Sequence, residues 1–464
     1  MRLSGRHYSA LLLAIYLVTT AHPTSAHADT LEAALVRAYR DNPQLNAQRA
    51  QVRSTDENVP QALSNYRPRV NLTGSSGYRY RDVLYTDGGA VRRFRESVPP
   101  SSVKLTVSQI LFNGRQTANK TRAADRQVLG ARQALRSLEQ SVLLSAVTAY
   151  MDYLRDSASL AVQTANVRVL EQGAVQAHVR FQIGEITYTD VAQSEAQLAA
   201  GRSQEQAAMS QLTASRANFH RYIGGDPIDL APASPVDRLL PRTLSSATEI
   251  ALVEDPDIQA EMHGVDVSSL QIRINEGALS PTVTLEASAQ QQLYEQSSTS
   301  SSYKSFNGAA AVQASVPLYQ GGSEYADIRK SKETLTQQQL TLERTRAQVR
   351  ATVAQRWGEL DTARANVRSA QTQVAASETA MNGVRDEAMV GQRTTLDVLN
   401  AQQALVNARI SLVTAQHDRI IASYNLLGAI GRLSPQVLNL QTSIFDPSIH
   451  YKQIRDSWGG TQTP

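Results

Sequence analysis

One octet occurs twice in this chain, as Gly184-Glu185-Ile186-Thr187-Tyr188-Thr189-Asp190-Val191 and again as Gly391-Gln392-Arg393-Thr394-Thr395-Leu396-Asp397-Val398. The two copies are 207 residues apart and share glycine, threonine, aspartate and valine at the same four places. The same spacing relates Gly114 to Gly321, Tyr150 to Trp357, Arg202 to Arg409, Asn218 to Asn425 and Gly224 to Gly431. Two copies of one structural unit therefore follow each other along the chain.

The spacing changes upstream of Gly114, since Pro68 and Pro281 are 213 residues apart. The first copy thus holds six extra residues between Pro68 and Gly114, and an insertion of this kind indicates a loop. We predict the following divisions of the mature chain: a first repeat over residues 29–224, a proline-rich linker over 225–246, a second repeat over 247–432 and a partly disordered C-terminal segment over 433–464.

The first 28 residues have the pattern of a secretory signal peptide. Arg2 and Arg6 precede an apolar run over residues 10–18, and Ala26-His27-Ala28 offers a cleavage site. The run is shorter than the roughly 20 residues that a membrane-spanning helix needs. We expect cleavage after Ala28 and export of the mature chain; a membrane-spanning start is the alternative.

Composition excludes several classes of protein. The 464 residues include no cysteine, which removes disulfides, thiol catalysis and cysteine-ligated metals. The 46 basic residues are interleaved with 42 acidic ones, a pattern typical of a solvated surface rather than of a nucleic-acid-binding face. Only six phenylalanines and two tryptophans are present, which is few for a large globular core.

Two regions show the alternation of apolar and polar residues that is typical of strands. We predict one β-hairpin over about residues 67–112 and a second over about 281–319, joined respectively by polar segments at 82–100 and 297–302. Four strands cannot close a barrel in lipid, where about eight are needed. If the strands enter a membrane, two, three or more chains must share one barrel; soluble hairpins are the alternative.

Most of the remaining chain is predicted to be helical. No proline occurs between Pro100 and Pro227 or between Pro317 and Pro435. In the first repeat we predict a short helix over 31–62, a long helix over 113–182 of about 100 Å, and a third over 189–222. The second repeat has the same order.

The predicted long helices are only mildly apolar, with alanine, glutamine, serine and threonine on several faces, as in residues 193–200. Helices that are wetted on two sides suit a hollow helical tube, in which small residues allow close packing between neighbours. A solid coiled coil in an exported structural or adhesion protein is the alternative.

The chain resembles the TolC family of outer-membrane channel proteins over essentially its whole mature length. The matching motifs are Leu31-Glu32-Ala33-Ala34-Leu35 with Asp41-Asn42-Pro43, Tyr66-Arg67-Pro68, Gln109-Ile110-Leu111-Phe112-Asn113-Gly114, Phe181-Gln182-Ile183-Gly184-Glu185, Val390-Gly391-Gln392-Arg393-Thr394 and Asp397-Val398-Leu399.

This resemblance implies an α+β membrane protein. A homotrimer would form a twelve-stranded outer-membrane β-barrel, with four strands from each chain, continuous with a long periplasmic α-helical barrel. It also implies an exit duct in the outer membrane of a Gram-negative bacterium. The duct would work with a periplasmic adaptor protein and an inner-membrane transporter of the ABC or RND type, for type I protein secretion or multidrug efflux.

The same resemblance assigns roles to residues at the repeated octets. It implies an adaptor-docking tip at Ile183, Gly184, Glu185, Val390, Gly391 and Gln392. It also implies a pore constriction at Asp397 and Asn400, and a gate tied shut by Arg393 with Asp190. Three copies of Asp397 around a narrow pore would favour cations. The alternative is that Asp190 and Asp397 only cap helices.

Two positions depart from the family pattern. Asn400 stands where a second ring aspartate often lies, so the constriction would carry three charges rather than six, and Ala388 stands where a tyrosine often supports the closed gate. An enzyme is not expected, because the mature histidines are scattered without metal-ligand spacing. We therefore expect no catalytic residue, cofactor, metal or nucleic-acid partner.

Overall fold

The fold is that of a computed structural model, which describes residues 29–296 and 301–462. The predicted signal peptide lies outside the described residues, as do residues 297–300 of the predicted polar connection and the last two residues of the chain.

Each repeat begins with short helices. The first has α1 (Leu31–Asp41), α2 (Pro43–Asp56) and α3 (Asn58–Leu63), whereas we predicted one helix over 31–62. That prediction was wrong because the Asn42 side chain accepts hydrogen bonds from the backbone of Gln44 and Leu45, and so starts a new helix with Pro43 at its first position.

The second repeat has the same kind of helix break, between α6 (Leu244–Glu254) and α7 (Pro256–Gly277). There the Asp255 side chain caps α7, with Pro256 at its first position. Helix α6 begins at Leu244, so the last three residues of the predicted linker are helical; the Thr243 side chain accepts a hydrogen bond from the backbone of Ser246.

Four strands form one antiparallel sheet in the order β1 (Arg69–Ser76), β4 (Ser101–Asn113), β5 (Thr282–Gln296) and β6 (Ser301–Ser315). The predicted second hairpin ran on to about residue 319, but β6 ends at Ser315 because Pro317 follows and cannot donate to a strand ladder. The α+β class, with four strands per chain in one sheet, is confirmed.

Residues 82–100 are not a simple polar connection between β1 and β4. β2 (Arg79–Asp87) and β3 (Ala90–Val98) pair there as a separate antiparallel ribbon. Gly88 and Gly89 have φ values of +58° and +84°, as the two central residues of a tight hairpin turn require. The insertion in the first repeat is therefore part of an ordered hairpin.

The sheet has one apolar face and one polar face, because directly paired residues lie on the same side. On one side Leu72 pairs with Leu105, which pairs with Ala289. On the other side Thr73 pairs with Lys104, and Lys104 pairs with Gln290. Many apolar side chains of the first face are exposed in the single chain, among them Leu72 at 72% and Phe306 at 73%.

The long helices follow the strands directly. α4 (Gln116–Gln182) packs along α5 (Tyr188–Tyr222), and α8 (Ser323–Met389) packs along α9 (Thr395–Ala429). At about 1.5 Å per residue, α4 and α8 are each about 100 Å long. Over the described ranges no helix combines the length and the apolarity that a membrane-spanning helix needs.

The main core lies where the short helices pack against the middle of the long ones. It includes Leu35 of α1, Tyr150 of α4, Phe219 of α5 and Leu426 of α9, each almost fully buried. The Tyr150 hydroxyl lies 2.8 Å from the carbonyl oxygen of Asp29 and 2.6 Å from that of Ala231. Asp29 and the linker between the repeats are therefore joined to the same core.

Candidate functional site at the two helix turns

Both repeated octets form tight turns between a long helix and the helix that follows it. We call residues 183–187, between α4 and α5, the first turn, and residues 390–394, between α8 and α9, the second turn. Two amide hydrogen bonds of 3.0 Å, from Gln197 to Gln403 and from Gln402 to Asn166, join the repeats close to the turns. Both turns therefore lie at the end of the molecule opposite the sheet.

Each helix ends in the same way before its turn. Gly184 and Gly391 have φ values of +76° and +77°, a backbone conformation that is unstrained only for glycine. The amide of Glu185 donates to the carbonyl of Arg180, and the amide of Gln392 donates to that of Glu387, both at 2.9 Å. The amides of Gly184 and Gly391 donate to the carbonyls of Phe181 and Ala388, three residues earlier. Together these bonds form Schellman motifs, which satisfy the last carbonyls of each helix.

The next helix then starts with a reciprocal cap. The Thr187 hydroxyl accepts from the amide of Asp190 while the Asp190 carboxylate accepts from the amide of Thr187, and Thr394 pairs with Asp397 in the same way. The recurrence of glycine, threonine and aspartate in the octet is thereby explained by helix termination and capping. Asp190 and Asp397 do cap helices, and this role is compatible with a second one.

The capping bonds also determine the charge of both carboxylates. Hydrogen bonds from the hydroxyl and then the amide of Thr187 lower the pKa of Asp190, and those from the amide and then the hydroxyl of Thr394 lower the pKa of Asp397. Both groups are therefore ionised at neutral pH. Asn400 lies three residues after Asp397 on α9, so the two residues share one face of the helix, and Asn400 is exposed.

The ion pairs of the two turns have opposite polarity. In the first turn Arg180, at the end of α4, pairs with Glu185 of the turn at 2.7 Å. In the second turn Glu387 occupies the helix position equivalent to Arg180 and pairs with Arg393 at 2.7 Å. Among the described residues of one chain, Arg393 pairs with Glu387 and Asp190 bonds Thr187, so the structure does not bring Arg393 and Asp190 together.

Apolar side chains surround the turns and point outward. Ile183, Met389 and Val390 are exposed to about 70% or more. In the first turn the rings of Phe181 and Tyr188 meet edge to face, with centroids 5.9 Å apart. The sequence analysis missed this ring pair and the partner of Arg393. The ring pair could have been recognised from the sequence, because the second repeat has Ala388 and Thr395 at the positions of the two rings.

Within the part of the chain that the structure describes, no group of three histidine, aspartate or glutamate side chains is arranged to hold a metal ion. The turns offer instead an exposed apolar surface bordered by one acidic and one basic side chain in each repeat. Such a surface can bind a protein partner or line a water-filled passage.

Comparison with known proteins gives consistent results. The family model for outer membrane efflux proteins matches residues 34–225 and 247–432, one segment in each repeat. The chain is 38% identical over 440 residues to the outer membrane efflux protein BepC of Brucella suis biovar 1 (strain 1330), covering 95% of this chain and 93% of BepC. It is 23% identical over 448 residues to the outer membrane protein TolC of Escherichia coli (strain K12), covering 91% and 86% of the two chains.

Among solved structures, the fold is similar to that of the Campylobacter jejuni CmeC outer membrane channel. The TM-score is 0.76 at 14% identity, and the alignment covers 92% of this chain and 89% of CmeC. The resemblance to the TolC family that the sequence motifs indicated is confirmed.

Proposed function

Since the chain belongs to the outer membrane efflux protein family, we propose that three copies assemble into one duct, narrowed at the helix turns and completed by partners in the periplasm and inner membrane. The chain itself is an outer-membrane exit duct for efflux or secretion, with its helical part in the periplasm, and it is not an enzyme. The alternative of a non-channel structural or adhesion protein is set aside by this membership.

The proposal that several chains assemble rests on one observation: the sheet has an apolar face, a polar face and two open edges. Among the strands of residues 29–296 and 301–462, β1 and β6 each pair on one side only, so each leaves a row of backbone groups without strand partners. Such edges are not tolerated in lipid, where every backbone polar group needs a partner. Joining β6 of one copy to β1 of the next closes the sheet, with the face of Leu72 and Leu105 toward lipid and that of Thr73 and Lys104 toward the lumen.

Three copies give twelve strands, which is above the minimum of about eight for a closed barrel. Two copies would give eight strands, enough to close a barrel but with a lumen that side chains would fill. Release of a drug or an unfolded protein needs a wider lumen than eight strands provide, and this requirement favours the trimer.

The passage narrows at the two turns in this proposal. Asp397, with Asn400 one helical turn further along the same face, faces the axis, so three carboxylates line the opening and select cations. Arg393, together with Asp190 of a neighbouring helix coil, holds the turns in the narrowed state. The observed Arg393 to Glu387 pair is exposed and so costs little to exchange for another carboxylate.

The exposed residues at the turns, apolar and polar together, are the docking surface for a periplasmic adaptor. Ile183, Gly184 and Glu185 of the first turn, with Val390, Gly391 and Gln392 of the second, make up this surface. The adaptor links the duct to an inner-membrane transporter of the ABC or RND type, which selects the cargo. A secreted protein and a small drug are both compatible with such a shared exit.

The test is electrophysiological. Purified mature protein in a planar lipid bilayer should form an oligomer that survives detergent and gives small, cation-selective single-channel currents. Micromolar multivalent cations added on the helical side should block them, because trivalent ions bind a ring of carboxylates. A folded, membrane-inserted oligomer without currents, even after Arg393→Ser, would contradict the proposal.

A further inference from the structure

The C-terminal segment follows a defined path over the first repeat. We call residues 445–458 the C-terminal strap; it contains helix α10 (Pro447–Ile454). At its start the amide of Phe445 donates to the hydroxyl of Tyr39 at 3.2 Å. The guanidinium of Arg49 lies between the two rings, 4.5 Å from the centroid of Tyr39 and 5.4 Å from that of Phe445. The strap is therefore joined to α1 and α2.

The middle of the strap is held by a buried hydrogen bond between His450 and Asp56. His450 Nδ1 lies 3.0 Å from Oδ2 of Asp56, a residue that is fully buried. Next to it the Tyr451 hydroxyl donates to Asp125 at 2.8 Å, and the Arg132 guanidinium lies over the Tyr451 ring at 5.3 Å. A side chain as buried as Asp56 is costly to leave without its partner, so the strap is attached firmly along α2 and α4.

The end of the strap reaches the sheet. Arg67 lies two residues before β1, donates a hydrogen bond to the carbonyl of Ser457, and stacks over the indole of Trp458 at 4.8 Å. Trp458 is nevertheless 74% exposed. A large aromatic side chain is therefore held in place beside the membrane end of the helices while most of its surface stays uncovered.

Other exposed aromatic residues lie at the same end of the sheet. Tyr66 precedes β1, Phe112 is close to the end of β4, and Tyr319 follows β6, and each exposes nearly half of its surface or more. Membrane barrels carry belts of aromatic residues at the level of the lipid headgroups, because such rings are apolar with a polar edge.

We propose that the C-terminal strap carries Trp458 into the headgroup region of the inner leaflet of the outer membrane, as part of this aromatic belt. The indole lies among the glycerol and upper acyl groups, and the neighbouring Arg67 guanidinium binds lipid phosphate. The strap thereby couples the helical core of the first repeat to the membrane surface. This inference depends on the proposed position of the sheet in the membrane.

The experiment uses the chain's two tryptophans. Trp357→Phe leaves Trp458 as the only indole, and Trp458→Phe leaves Trp357. Trp357 lies 34 residues into α8, about 50 Å from the sheet, and is half-buried in the main core. In vesicles of lipids brominated near the headgroup, bromine should quench most of the tryptophan fluorescence of the Trp357→Phe protein. Iodide in the aqueous phase should quench little of what remains. The Trp458→Phe protein should lose none to bromine.

A third protein separates failure of this inference from failure of the membrane assignment. With both tryptophans replaced by phenylalanine, Leu72→Trp places one indole on the apolar face of the sheet and must be quenched by brominated lipid if the sheet is inserted. The inference is overturned if the Leu72→Trp reporter is quenched by brominated lipid while Trp458 is quenched by iodide instead. It is also overturned if that reporter is quenched while Trp458 responds to neither quencher because another copy shields it. If neither Leu72→Trp nor Trp458 responds to bromine, the membrane assignment itself fails.

Discussion

The first and second turns have the same backbone and different side chains. Glycine ends each helix, and threonine with aspartate starts the next one, with φ values that differ by one degree between the two glycines. Around this shared frame the first turn carries the Phe181 to Tyr188 ring pair, whereas the second carries none. Both copies thus keep the glycine, threonine and aspartate that shape the turns, while other side chains around the turns have diverged.

The charges at the turns diverged in the same way. The helix-end position is Arg180 in the first repeat and Glu387 in the second, and each has a partner of opposite sign in its turn. By contrast, the pairs Glu171 to Arg202 and Glu378 to Arg409, which join the helices farther from the turns, are the same in both repeats, at 2.8 and 2.7 Å. The ion pairs therefore do not distinguish the stability of the two turns, but the Phe181 to Tyr188 ring pair does, and we expect the first turn to resist opening more than the second.

Replacing the glycines should have the largest effect and should act equally on both turns. No atom lies within 4 Å of a Cβ added at Gly184 or Gly391, so backbone strain at positive φ is the main cost of Gly184→Ala or Gly391→Ala. We expect each to lower the free energy of local opening at its own turn by about 1 kcal/mol. Amide hydrogen exchange measures this quantity.

Gly173→Ala is the matched control, because Gly173 lies inside α4 with open space around it and ordinary helical φ. It should leave the turns unchanged or stabilise the helix. A clearly larger cost at one turn than at the other would contradict the equivalence of the two backbones.

The ring pair should make the second-largest difference. Phe181→Ala should lower the free energy of opening of the first turn by about 0.5 kcal/mol, since both rings are partly solvated. Ala388→Phe combined with Thr395→Tyr should give the second turn a similar gain. Tyr188→Phe keeps the ring and is the control. Equal hydrogen exchange at the two wild-type turns would show that the ring pair does not stiffen the first.

The ion pair of the second turn should have a smaller effect on stability and a visible effect on current. Arg393→Ser should raise single-channel conductance, because it removes the side chain proposed to hold the gate. Glu387→Gln removes the partner seen within the chain and leaves Arg393 in place, so it should change conductance little. If both variants raise conductance alike, the pair within the chain restrains the gate, and a tie to Asp190 is not needed.

The smallest change is expected from pH. Hydrogen bonds from Thr394 lower the pKa of Asp397 below its usual value of about 3.9. A group with a lowered pKa keeps its charge, and its contribution to the folded state, above that value and loses both as pH falls through the folded pKa. In the assembled ring, repulsion between the three carboxylates opposes this lowering. Cation preference should therefore be fully present at about pH 7 and be lost on acidification as the carboxylates are protonated. A preference that persists unchanged down to about pH 2 would exclude Asp397 as the selecting group.

Much of this architecture follows from local sequence signals. Glycine, threonine and aspartate at fixed spacing predict the turns, and period-two alternation predicts the two faces of the sheet. The break at Asn42-Pro43 was missed although an asparagine cap before proline is a strong helix start. The sequence predicts a polar connection over 82–100 from its polar residues and Asp87-Gly88-Gly89, whereas the structure has the β2–β3 ribbon there, with these glycines at its hairpin turn.

Long-range contacts were harder to predict. The partner of Arg393, Glu387, lies six residues away across a turn, and Asp397 after the turn also acts on the guanidinium. The path of the C-terminal strap depends on the pairing of His450 with Asp56, 394 residues apart, which no periodic pattern records. Roles that need neighbouring copies, such as facing the pore axis, are still harder to predict from one chain, and they remain proposals.

The most direct test of a constriction at the second turn compares Asp397→Asn with Asp190→Asn in single-channel reversal-potential measurements. Each asparagine keeps an oxygen for the helix cap and removes one charge, so the two variants are matched in structure. The account predicts that Asp397→Asn loses most of the cation preference while Asp190→Asn keeps it. Equal loss in both variants, or loss only in Asp190→Asn, would contradict a pore constriction at Asp397.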